Sequence, residues 1–370
     1  MAGIFPPLTQ LVPSYIQQIE SYIPSKPDAV LRQLYRAPFL YRMNNNENAL
    51  GPPPAAKEVI RSFCPERAAI YPSGDAYYLR QRLGELFGFS PDAFLVGNGA
   101  TEVISFVTKA FCQPGDNIVT VDKTFAVYEW VAGFSGFESR LVPLKDNGFD
   151  ADAMLAAADN RTKIIFICNP NNPTGSYWNE TQLRNFLDRV RGRQIVVVDE
   201  AYGEYAEAAD FPDGMKLIKE YPNLVVFRTF SKMYALAALR IGYLAGHVDV
   251  VDIIRRTCVV YSVNALAQEA ALAALSDDGT HVAKTRALMR ESKKYLKQEL
   301  THLRLPYICG EGNYVIVRLP LSDTLAYRKL MHRGYMIRTM AGFRFPNHIR
   351  VTLQDISVME GFINALRSII

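Results

Sequence analysis

The sequence predicts an α/β fold: a large domain with a mostly parallel central sheet flanked by helices, and a small α/β domain beside it. Three observations predict it. Short runs rich in Val, Ile and Phe recur along the middle of the chain, apolar on both faces and ending in polar or turn residues. Strands of a parallel sheet covered by helices look like this. The chain alternates between such runs and helical segments, as parallel strands require. After Val250 the pattern changes to a long amphipathic helix, three strands and a last helix, which suits a small separate domain.

The elements follow in order. Residues 1–47 read as irregular, with a helix around Tyr15–Tyr22, and Asn44–Pro54 (NNNENALGPPP) reads as an extended loop. Strands are expected at Phe94–Val96, Ile118–Val121, Lys163–Cys168, Gln194–Val198 and Leu224–Phe227. A further strand is expected over Leu239–Ala245, with its direction left open. The turn Gly97-Asn98-Gly99 leads into a helix from Thr101 to Phe111. His281–Leu303 is the long helix, because Val282, Met289, Leu296 and Leu303 recur every seven residues with Leu300 beside them. Strands are then expected at Tyr314–Arg318, Tyr335–Arg338 and His348–Leu353, and a helix from about Ser357. The expected division is a large domain over 48–260, and a small domain from 261–370 with the N-terminal segment 1–47.

Composition narrows the function classes. Of 370 residues 49% are hydrophobic, ample for a packed core. With 41 basic and 37 acidic side chains the net charge is +4, too small to imply nucleic acid or a membrane surface. The start, MAGIFPPLTQ, lacks the basic and apolar regions of a secretory signal. No apolar run approaches the roughly 18 residues of a membrane span, so a cytoplasmic location is expected. The five cysteines are scattered without a CxxC, which suits reduced thiols. The five histidines show no metal-ligand spacing, and no metal is expected.

In an open parallel sheet, ligands sit off the carboxyl ends of the strands. Here Val96 leads into GNGAT, Cys168 into NPNNPTG, Val198 into Asp199-Glu200-Ala201-Tyr202, and Phe227 into Arg228-Thr229-Phe230-Ser231-Lys232. These ends supply an anion cradle, an amide, a carboxylate, a phenol, hydroxyls and an amine. That set meets the needs of pyridoxal 5′-phosphate. Lys232 can hold its aldehyde as an imine. Asp199 can keep its ring nitrogen protonated, because a nearby negative charge favours the cation. Asn172 and Tyr202 can donate to its ring oxygen. The N–H groups of Ala100 and Thr101, the hydroxyls of Thr229 and Ser231, and the forked guanidinium of Arg240 can take its phosphate. Singly each residue has an ordinary explanation, a surface lysine or a helix cap. One cofactor explains all of them together.

NPNNPTG, DEAY and RTFSKMYALAALRIGY resemble the signatures of class I/II aminotransferases. SYIPSKP (Ser21–Pro27), NENALGPPP (Asn46–Pro54), GNGATE, GNYVIVR (Gly312–Arg318), MIRTMAGF (Met336–Phe343) and HIRVTL (His348–Leu353) resemble motifs of the histidinol-phosphate aminotransferase branch, in chain order. The resemblance implies an aspartate-aminotransferase-like fold, fold type I of the pyridoxal-phosphate enzymes. It implies Lys232, Asp199 and Tyr202 as catalytic residues and a homodimer in which Tyr71 reaches the neighbouring site. It also implies Arg350 as the grip on the substrate's anion, Arg338 as a second anion contact, and Tyr22, Asn313 and Asn48 as pocket residues. Phe125 stands where the family has a tyrosine, and can stack on the cofactor ring without hydrogen-bonding. Further departures are Ala49, Ala235-Leu236-Ala237-Ala238 where the family has Gly-Leu-Ala-Gly, and Gln354 where it has a small residue.

The expected reaction is transamination by a ping-pong mechanism, with Lys232 moving the α-proton and 2-oxoglutarate as acceptor by resemblance. The first-choice donor is histidinol phosphate, which points to histidine synthesis, and the second an aromatic amino acid. The alternative enzyme is a decarboxylase of the threonine-phosphate type, which shares the cofactor and much of the motif set. A non-catalytic effector-binding module is the alternative of another class. It fits poorly, because 370 residues leave no room for an appended DNA-binding domain.

Overall fold

A computed structural model of the protein describes residues 8–20 and 26–370. Its strands are β1 (Tyr41–Met43), β2 (Phe94–Gly97), β3 (Asn117–Val121), β4 (Glu138–Val142), β5 (Thr162–Cys168), β6 (Ile195–Asp199), β7 (Leu224–Thr229), β8 (Gly242–Gly246), β9 (Tyr307–Ile308), β10 (Tyr314–Arg318), β11 (Tyr335–Thr339) and β12 (His348–Thr352). They form two sheets.

The larger sheet has the order β2-β8-β7-β6-β5-β3-β4. β4, β3, β5, β6 and β7 run parallel. β8 is antiparallel to both neighbours, β7 and β2, which settles the direction the sequence left open. Alternate residues of the central strands face opposite sides, the period-two rule of a pleated strand. Ile165, Ile167, Val196 and Val198 enter one core; Ile164, Phe166, Val197 and Val225 enter the other. The second core is closed by the helices Ala100–Phe111, Val127–Ser135 and Val248–Arg255. The helix Ala265–Ala274 lies past the expected change of domain at residue 260. It buries Ala267, Ala270, Ala271 and Ala274 in the first core of this large sheet.

The smaller sheet has the order β1-β11-β12-β10-β9. Met289, Leu296 and Leu300 of the helix Thr280–His302 and Phe362 and Leu366 of the helix Ile356–Arg367 pack against it. The long helix is displaced by one residue from its expected range, and its buried stripe also includes His281, Thr285 and Ser292.

Residues 1–47, the edge strand β4 and the two-residue β9 depart from the expected elements. Residues 1–47 are not irregular throughout: Asp28–Tyr35 is a helix and β1 a strand. The helix buries only Leu31, so its apolar stripe is too thin to read. β1 is a strand because it pairs with β11, some 290 residues away, which no local pattern reports. The helix expected around Tyr15–Tyr22 is a single turn, Ser14–Gln17, and Tyr22 lies outside the described residues. β4 is an edge strand with Glu138 and Arg140 reaching outward, so it lacks a continuous apolar run.

Candidate active site

The carboxyl ends of β5, β6 and β7 converge, and Cys168 stands opposite Asp199 in the ladder. The Asp199 side chain is buried and accepts from two neutral donors, the Tyr128 phenol at 2.6 Å and the Ala201 N–H at 3.0 Å. Burial pushes its carboxyl up, and the Tyr128 hydrogen bond works against that shift. A hydrogen bond to a carboxylate is worth about 1.5–3 kcal/mol. Tyr128 is fully buried and lies flat on Phe166, ring centres 4.6 Å apart at 10°. Phe125, one helical turn earlier, meets the edge of Tyr128 at 5.6 Å and 87°. Tyr128 was not among the sequence candidates. Its signal was the three-residue spacing from Phe125 in the segment that leads from β3 into the helix Val127–Ser135.

Lys232 follows β7 in a loop that closes on itself. Phe230 N–H donates to the Ile241 carbonyl at 3.2 Å, and Leu236 N–H to the Phe230 carbonyl at 2.9 Å. The Lys232 amine donates to the Asn45 carbonyl at 2.6 Å and lies 5.9 Å above the Tyr202 ring. Desolvation first, then the charge of Arg350, bring this amine down to about 8; Glu47 opposes the shift and Arg240 adds to it.

Loop closure returns Arg240 to the turn before the helix Ala100–Phe111. Gly99, at φ 79°, caps that helix, and a Cβ there would collide with the Arg240 guanidinium. The first N–H groups of a helix lack partners within it, so Ala100 and Thr101 present donors beside this cation. Thr229, the last residue of β7, and Ser231, just after it, are buried, with Ser231 N–H donating to Thr229 Oγ1 at 3.1 Å.

The NPNNPTG turn begins with a cis Asn169–Pro170 peptide. Asn169 and Asn171 are spent on structure. Asn169 exchanges hydrogen bonds with Trp178 at 2.8 and 3.1 Å, and Asn171 accepts from Thr124 Oγ1 at 2.7 Å and donates to the Lys123 carbonyl at 3.0 Å. Asn172 faces inward and accepts from Arg350 Nη1 at 2.5 Å. Arg350 is buried, its other terminal nitrogen donates to the Asn44 carbonyl at 2.7 Å, and its Nε has no partner among the described residues. Arg338 stands opposite it on β11, exposed, and both guanidiniums lie near the Phe343 ring, at 5.6 and 5.8 Å.

The segment Asn44–Asn48 threads between the two sheets and touches most of these residues. Asn46 donates to the Tyr202 phenol at 2.8 Å, and Asn313 donates to the Asn46 carbonyl at 3.0 Å. Burial raises the Tyr202 phenol to about 12, against the pull of Arg350 and Asn46. Asn48 donates to the Met233 carbonyl at 2.7 Å and to Thr285 Oγ1 at 3.3 Å, and accepts from Leu50 N–H at 3.0 Å. The resemblance implies a pocket role for Asn48; in the structure its side chain fixes the loop after Lys232. Tyr71 stands apart from the cluster. It is 80% exposed and stacked on Tyr261 at 4.8 Å and 29°.

Pyridoxal phosphate fits this residue set. Asp199 is a desolvated acid held by neutral groups, suited to a cationic ring nitrogen. Gly99 leaves the space an anion needs beside Arg240. Lys232 has an amine brought down to about 8. Residues 40–366 match the family described as aminotransferase class I and II. The chain is 38% identical over 372 aligned residues to histidinol-phosphate aminotransferase 2 of Pseudomonas fluorescens, covering 100% of this chain and 99% of that protein. It is also 38% identical over 353 residues to histidinol-phosphate aminotransferase of Symbiobacterium thermophilum, covering 95% of this chain and 97% of that one. The solved structure of histidinol-phosphate aminotransferase from Sinorhizobium meliloti, in complex with pyridoxal 5′-phosphate, shares the fold with a TM-score of 0.85 at 23% identity over 96% of each chain. A family match that spans the chain from residue 40 to residue 366 makes this protein a member of the class I and II aminotransferases, transaminases whose cofactor is pyridoxal 5′-phosphate.

Proposed function

We propose that the amino donor is histidinol phosphate and that the acceptor is 2-oxoglutarate, in a ping-pong cycle. The opposed guanidiniums of Arg338 and Arg350 carry this reading. Two cations held beside one ring favour a doubly charged guest, and a phosphate monoester is one. The full-length relatives named for histidinol phosphate support the same donor.

When bound, pyridoxal phosphate supplies the electron sink for the bond broken at the donor's α-carbon. Lys232 Nζ takes the α-proton and later returns it, a task suited to an amine titrating near 8. The Asp199 carboxylate holds the proton on the ring nitrogen. Asn172 and Tyr202 donate to the ring oxygen. Arg240, Thr229, Ser231 and the N–H groups of Ala100 and Thr101 hold the phosphate, and Phe125 covers the ring. Arg350 takes the substrate's anion with Asn172 fixing its orientation, and Arg338 adds the second positive charge. Asn313 lines the same pocket. Tyr71, exposed and stacked on Tyr261, reaches the site of a second copy in a homodimer.

The test mixes the yellow holoenzyme with histidinol phosphate, phenylalanine, tyrosine and threonine phosphate separately, and follows the loss of the visible band. Histidinol phosphate should bleach it at the lowest concentration, and Arg338→Ala should raise that concentration roughly tenfold or more, the loss of one charged contact. Preferential bleaching by phenylalanine or tyrosine would replace the donor. Carbon dioxide from threonine phosphate without a keto product would replace the reaction.

A further inference from the structure

Asn46 is completely buried and sits at φ 56°, in the left-handed region. All its polar groups are engaged. Its N–H donates to Thr352 Oγ1 at 3.0 Å, its Oδ1 accepts from the same hydroxyl at 3.1 Å, and its carbonyl accepts from Asn313. This network orients the amide. Thr352 Oγ1 accepts the backbone proton, and its own proton needs an acceptor, which Oδ1 supplies. Nδ2 is thereby turned toward the Tyr202 phenol at 2.8 Å.

A phenol has one proton to donate. Where it accepts from an amide, that proton is not consumed by the contact. The Tyr202 ring is fixed by Tyr314, edge-on at 5.0 Å and 81°, so the phenol can only turn its hydrogen. We propose that Asn46 is a positioning residue, whose amide donates to the Tyr202 oxygen and so reserves the phenol's proton for the cofactor's ring oxygen. This rests on the placement of Tyr202 against that oxygen. The residue type follows from the geometry. Asparagine is at ease at positive φ. Glycine would adopt the backbone without donating, and aspartate would adopt it and accept, drawing the phenol's proton to itself.

The experiment titrates the visible band of the cofactor-loaded protein with pH. A proton donated to the ring oxygen withdraws charge from the adjacent nitrogen and lowers its basicity. Tyr202→Phe should therefore raise the midpoint. Asn46→Asp should raise it by about one pH unit, the scale of one charge-assisted hydrogen bond. Asn46→Gly, which keeps the backbone and tests the site if the aspartate variant does not fold, should raise it less. In the Tyr202→Phe background Asn46→Gly should not move the midpoint further, and Asn46→Asp should move it by less than in the parent protein, through its charge alone. Shifts of equal size in both backgrounds, or none in either, would overturn the role of Asn46. A midpoint unmoved by Tyr202→Phe itself would overturn the placement of Tyr202, and the inference with it.

Discussion

Lys232 rests its amine on the Asn45 carbonyl, and titrates near 8 rather than at the usual lysine value. Only the neutral amine attacks an aldehyde. Below 8 the neutral fraction falls about tenfold per pH unit. Cofactor uptake by the cofactor-free protein should therefore accelerate about tenfold from pH 6 to 7 and level off above about 8, read as the rate at which the visible band appears. A rate independent of pH across this window would show that the amine is not the limiting group. At this scale the candidates the sequence offers stand at a strand end or soon after it, as Asp199, Tyr202, Asn172 and Lys232 do; Arg240 instead stands just before β8. Tyr128 and Asn46 were not singled out, because each matters through a contact more than 70 residues away. Asn48 illustrates the converse. Its motif was recognised, but only coordinates show that its side chain is taken up by Met233, Thr285 and Leu50.

The loop between β7 and β8 returns Arg240 to the Gly99 turn, and it does so through two residues in the left-handed region, Ala235 at φ 54° and Arg240 at φ 57°. At 235 the resembling family has glycine. A Cβ there costs roughly 1–2 kcal/mol, partly offset by the lower chain entropy of alanine when unfolded. Ala235→Gly should thus stabilise the protein by about 0.5–1 kcal/mol and raise Tm by about 1–2 °C, seen by scanning calorimetry. A lower Tm would mean that the Ala235 methyl packs better than it strains. The central strands were readable because burial on both faces writes a continuous apolar run. β4, an edge strand, and β1, which depends on β11, lack that signature.

Across the whole molecule, the two sheets are joined away from the site as well as at it. Glu311 N–H donates to the Gly175 carbonyl at 2.8 Å, and a Cβ on Gly310 would strike the Gly175 backbone. Arg344 grips both oxygens of Glu129 at 3.0 Å and the Asp122 carbonyl at 2.8 Å. None of this is local in sequence, which is why the architecture could be named from motifs while its closure could not. The partners across β11 and β12 set a further condition. Arg338 and Arg350 repel each other in register, and burial already disfavours the Arg350 cation. Any guest carrying two negative charges relieves that strain, whether or not it can react. A dicarboxylate without an amino group should accordingly protect the cofactor-free protein against heat, by an increment growing with the logarithm of its concentration. Added salt should erode the effect, and a monocarboxylate of equal size should give less of it.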